Sequence, residues 1–143
     1  MNLELSDVEY RRLMLMAFLG EWMLNAIRKD PDASMEDALS KLYSFARDTP
    51  MQELVAFDAE ENAWIPTPAF EDEAHALIDQ YDDTTFWEEL TSRLAERDLI
   101  ERHGERKVLG MRPAQREREV SAIAKDYTRE FEEVGLDRLR IME

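Results

Sequence analysis

The chain has 143 residues and a formal net charge of −15, a length at which one domain buries a core without metal or disulfide staples. It contains no cysteine, which excludes disulfides, a thiolate nucleophile and cysteine zinc sites and fits a reducing, cytoplasmic setting. The longest oily run, Leu13 to Ile27, is broken by Glu21 and Asn25, and Met1, Asn2, Leu3 and Glu4 give no basic start for a secretory signal. A soluble protein that does not enter a membrane is expected.

Ser6 and Glu9 form an S-x-x-E capping box, each satisfying the other's orphan backbone N–H, and open a helix predicted to run to about Lys29. Ser34 with Asp37 predicts a second helix to about Arg47, with Ala38, Leu39, Leu42, Phe45 and Ala46 as its apolar stripe. Thr49 and Pro50 open a short third helix, the proline standing where its missing N–H costs nothing. From Leu54 the period changes. Leu54, Val55 and Phe57, a polar turn over 58–62, then Ala63, Trp64 and Ile65 predict a small β-hairpin. Thr67 and Pro68 restart helix, with Phe70, Ala74, Leu77, Ile78 and Tyr81 on one stripe. A break is expected at Asp82, Asp83 and Thr84, after which Thr85 with Glu88 opens a helix that buries Phe86, Trp87, Leu90 and Leu94 and ends near Asp98. Pro113 begins a long last helix with Val120, Ile123, Ala124, Tyr127, Phe131 and Val134 on one face and Gly135 as its cap.

The expected fold is therefore mainly α: one acidic domain over residues 1–143, a compact bundle of about five to six helices with a small hairpin. The alternative is a winged-helix-like α+β arrangement in residues 68–109, with strands at 99–102 and 105–109 about a His103–Gly104 turn. A rival reading continues helix from Glu101 to Leu109.

Charge is unevenly distributed. Residues 1–50 hold 9 acids and 6 bases, residues 51–100 hold 14 and 2, and residues 101–143 hold 10 and 10. Between Arg47 and Arg93 there is no lysine or arginine, a field that repels phosphate backbones and attracts cationic partners. Arg102, Arg106, Lys107, Arg112, Arg116 and Arg118 crowd the segment that follows.

Within the first helix, Glu21 and Asn25 raise a particular question. At 100° per residue, Leu15, Leu19, Trp22, Met23, Met16, Ile27, Leu24 and Val8 spread over a broad apolar arc, and Glu21 lies outside it beside Met14, Asn25 and Arg28. Glu21 is expected to face solvent and hydrogen-bond Asn25. Met14 and Phe18 share that sector, so they are either covered by another helix or form an exposed strip with Glu21 and Asn25 for a dimer or partner contact.

Catalytic equipment is sparse. No phosphate-binding glycine loop, nucleophile elbow or H-E-x-x-H motif occurs, and two histidines are a poor supply for acid–base or metal work. His75 stands near Glu71 and Asp72 at helical spacing, which keeps a metal-assisted enzyme using Glu21, Glu71 and His75 as an alternative; the simpler reading is a surface histidine. Asp79, Asp82 and Asp83 do not fit a calcium loop and read as helix-start residues.

The function expected from these features is a non-catalytic interaction module, without metal or cofactor, that binds a basic protein partner through its acidic middle segment. Its contact residues are expected among Glu71, Asp72, Glu73, Asp79, Asp82 and Asp83, with Trp64 on the hairpin and Met14, Phe18, Glu21 and Asn25 on the first helix. Homodimerisation through that helix is a further option, as is a DNA-mimic role. A DNA reader using Arg93, Arg97 and the 102–118 basic stretch is the remaining alternative, disfavoured by Glu88, Glu89, Glu96 and Asp98 on the same helix.

Overall fold

The computed structural model describes residues 3–140; Met1 and Asn2, part of the expected signal-free start, lie outside the described residues, as do 141–143. In chain order the elements are α1 (Asp7–Asn25), α2 (Ala33–Ser44), a 3-10 turn (Pro50–Leu54), β1 (Val55–Asp58), β2 (Ala63–Pro66), α3 (Pro68–His103), α4 (Glu105–Leu109) and α5 (Pro113–Val134). The protein is mainly helical with a small antiparallel hairpin, as the periodicity predicts. No described helix is long and apolar enough to cross a membrane. Contacts gather into two compact units, Met1–Asp79 and Gln80–Glu143.

In the first unit the capping box forms as predicted: the Ser6 N–H donates to Glu9 Oε2 at 2.9 Å and the Glu9 N–H donates to Ser6 Oγ. The second helix starts from a different residue than expected. Asp32, not Ser34, is its cap and accepts the Ser34 N–H at 3.1 Å, because an aspartate one residue past Pro31 is already extended and offers a charged acceptor. Thr49 caps the 3-10 turn, and the strands pair Val55 with Pro66 through Asp58 with Ala63. Asp58 closes the hairpin by accepting the N–H groups of Glu60 and Glu61. Met14, Tyr43, Ala46, Val55 and Phe70 form the buried core, and Phe18, Ala74 and Ile78 form a satellite cluster.

That packing turns α1 away from the expected orientation, although Leu15, Leu19 and Trp22 of the expected arc still pack against the cores. Met14 is fully buried, Phe18 and Asn25 nearly so, whereas Met16 is 66%, Met23 60% and Ile27 93% exposed. Met14 and Phe18 therefore belong to the interior and are not a strip offered to a partner. The reason is that α1 is apolar almost all round, so hydrophobic periodicity cannot select its inner face. Polar anchors select it: Tyr10 Oη donates to the Leu42 carbonyl at 2.7 Å, and Asn25 bridges to the start of α2. Phe45, Leu77 and Tyr81, expected on buried stripes, are exposed. For Phe45 the cause is local, since α2 ends one residue before it.

In the second unit, residues 82–84 are helical and no break occurs. The winged-helix alternative is thereby overturned: α3 runs unbroken to His103, and the segment read as a wing is the end of α3 followed by α4. Asp82, Asp83 and Thr84 include no proline or glycine, so nothing obstructs the i→i−4 ladder, and a cap preference of about 1 kcal/mol does not outweigh continued helix. Gly104 makes the real interruption at φ 80°, a conformation costly for any residue with a Cβ. Ala95, Leu99, Val108 and Ile123 form the second core. Trp87 packs on Phe131 at 5.4 Å, while Phe86, expected inside, is half exposed. Gly135 caps α5 with positive φ, its N–H donating to the Phe131 carbonyl.

Candidate functional site

The base-free run acquires few intramolecular counter-ions. Among the described residues its ion pairs are Asp48 with Arg47, Glu73 with Arg11 and Glu89 with Arg93. Asp72 and Asp79 of the first unit are exposed on α3 without an ion pair, and seven residues apart they share one side of the helix. Asp82 and Asp83 of the second unit are also exposed, but as interior residues of α3 and not as its start; Asp83 accepts from Trp87 Nε1 at 3.1 Å. Glu73 is committed to Arg11, and Glu71 is half-buried. The six acids named from sequence thus divide into four outward-facing aspartates and two partly enclosed glutamates.

Part of the basic charge of the second unit is engaged by carboxylates. Arg93 pairs with Glu89, Arg97 with Asp98, and Arg116 with Glu96. Tyr127 Oη donates to Asp98 Oδ2 at 2.6 Å and accepts from Arg97 Nη2 at 3.0 Å. Burial opposes ionisation of Asp98, but these bonds from Tyr127 and Arg97 outweigh it and hold the carboxyl below its ordinary range.

Glu21 and Asn25 do pair, though not on the solvent side. Asn25 Nδ2 donates to Glu21 Oε1 at 2.8 Å, and Asn25 Oδ1 accepts the Asp32 N–H at 2.9 Å, so the asparagine satisfies both ends of itself on the buried side of α1. Glu21 is left half-buried on the wall of a cavity of about 660 Å³ in the first unit. Glu71 lines the same cavity from α3 and Tyr43 from α2.

Sequence reasoning missed Tyr43. Its side chain is 1% exposed, packs edge-on against Phe70, and its hydroxyl has no hydrogen-bond partner among the described residues. Burial, then the charges of Glu21 and Glu71, push the phenol far above its ordinary value, so it stays protonated and able to donate or accept. The available signal was a hydroxyl four residues beyond Leu39 on an otherwise apolar helix face. Trp64, expected among the partner contacts, is half-buried on the cavity wall; its ring lies 5.4 Å from that of Phe57, and its backbone N–H donates to Ser40 Oγ. His75 is exposed with its ring edge-on to Phe18. Among the described residues no three His, Asp or Glu side chains converge in a metal-holding arrangement.

Compared with protein-family models, curated proteins and solved structures, the chain matches none.

Proposed function

We propose that this protein is a non-catalytic interaction module of the cytoplasm whose acidic middle segment binds a basic protein partner. One observation carries the reading: Asp72, Asp79, Asp82 and Asp83 are exposed within a run that has no lysine or arginine, and none of them has an ion pair among the described residues. Carboxylates left in solvent without counter-ions raise the local cation concentration and speed encounter with positively charged surfaces. The absence of cysteine is compatible with a reducing compartment.

The test uses a blocked peptide rich in lysine and arginine, titrated into the full chain at low and at physiological salt. Binding should weaken steeply with salt, and the variant D72N/D79N/D82N/D83N should lose at least about tenfold in affinity. Undiminished affinity in that variant, or no binding at low salt, removes the proposal.

A further inference from the structure

Gly20 stands inside α1, is exposed, and has nothing within 4 Å of where a Cβ would sit. Glycine is less stable than alanine inside a helix because it loses more backbone freedom on folding, and no crowding within the chain requires it here. A missing side chain on an open helix face instead admits the close approach of another helix. Around Gly20, the residues Leu13, Met16, Met23 and Ile27 complete an alternation of three-residue and four-residue steps, the last of them just past the end of α1. That spacing sets all five on one seam, on the side of the helix opposite Met14 and Phe18, and is how paired helices keep an apolar contact along their length. Met16, Met23 and Ile27 are mostly exposed, and Gly20 also opens onto a groove of about 560 Å³ between α1 and α2.

We propose that this seam is a homodimer interface, in which α1 of a second copy packs antiparallel along it. The charges at its ends select that occupant. Glu4 and Asp7 stand at the start of the helix and Arg28 and Lys29 beyond its end; all four are exposed and have no ion pair among the described residues. An antiparallel copy brings Arg28 and Lys29 to Glu4 and Asp7 at both ends of the contact, while a parallel copy sets like charge against like. In the same register Met16 of each helix lies over Gly20 of the other, and Leu13 faces Met23. Burial of these apolar side chains supplies the affinity, methionine adapting readily to the shape it meets, and the flanking charges fix the direction. The inference goes beyond the acidic-segment reading and does not depend on it.

The experiment is sedimentation equilibrium of the full chain at physiological salt, over roughly 1 to 500 μM, where the mass should rise from one copy to two. Met16→Glu and Met23→Glu, at positions that water already reaches in the single chain, should each raise the dissociation constant at least about tenfold and leave the melting temperature of dilute protein level. Gly20→Leu should weaken association as strongly while raising that melting temperature, a combination that a glycine serving only its own helix does not produce. Direction is read by charge reversal. Asp7→Lys and Lys29→Glu should each weaken association severalfold, and D7K/K29E in one chain should restore it, because the two-fold axis repairs both contacts. The chain has no cysteine, so L13C and M23C serve as clean probes: mixed and oxidised they should link to each other, and neither should link to itself. A single-copy mass throughout the range, a doubled mass that none of these α1 variants changes, charge reversal without rescue, or self-linking of either cysteine variant would overturn the proposal. So would a single-copy protein whose Met16 methyl group is already sheltered from a soluble paramagnetic probe, since its own chain would then cover the seam.

Discussion

Arg97, Asp98 and Tyr127 illustrate how single side chains hold this protein together. Asp98 accepts from both neighbours, and its side chain is only 19% exposed, so removing either donor leaves a poorly solvated charge with one fewer bond. Asp98→Asn should therefore cost about 1–2 kcal/mol and Tyr127→Phe about 1 kcal/mol in chemical denaturation, with the double variant costing less than their sum. Strict additivity would mean the triad is not a network. Asn25 makes the complementary point about legibility. Its pairing with Glu21 follows from four-residue spacing and was readable in the sequence; its burial was not, because the second partner is the backbone N–H of Asp32, and no local pattern announces a side chain to backbone bond across a turn. Tyr43 was hidden for a related reason, since a tyrosine on an apolar stripe reads as core, which it is, and only the fold shows that its hydroxyl lacks a partner among the described residues.

At the scale of elements, starts were easier to read than faces. Capping at Ser6 and Thr49, the prolines at 50, 68 and 113, and the change of period at the hairpin all act through neighbouring residues, so the sequence carries them directly. The inner face of α1 depends instead on what packs against it, and a helix oily on most sides leaves that undecided. The mistaken break in α3 has a similar origin: Thr85 with Glu88 satisfies a capping rule whether or not a helix begins there. Thr84→Pro distinguishes the two cases. In continuous helix it removes a hydrogen bond and clashes with the preceding turn, lowering stability by about 3 kcal/mol or more and reducing helical circular dichroism; at a loop it would be tolerated.

For the whole molecule, charge is the dominant variable. With a formal −15 spread over 143 residues, repulsion works against folding at neutral pH, and added salt should raise the urea midpoint between about 20 and 200 mM as that repulsion is screened. A lowered midpoint would show that the ion pairs outweigh it. Acid acts in the opposite sense. The hydrogen bonds from Ser6 on Glu9, from Ser34 on Asp32, and from Gln115 on Glu119 hold these carboxyls below their ordinary values, as the bonds from Tyr127 and Arg97 hold Asp98. A depressed folded value contributes stability that is present above the unfolded value, near pH 4, and is lost as pH falls through the folded one. Stability measured against pH should accordingly decline below about pH 4, and Asp98→Asn should flatten that decline.

The outward side of α1 has a chemical corollary. Met16 and Met23 present their thioethers to water while Met14 is sealed inside, so peroxide should convert the first two to sulfoxides well before the third. Oxidative stress would then make one flank of that helix polar while leaving its interior contacts intact.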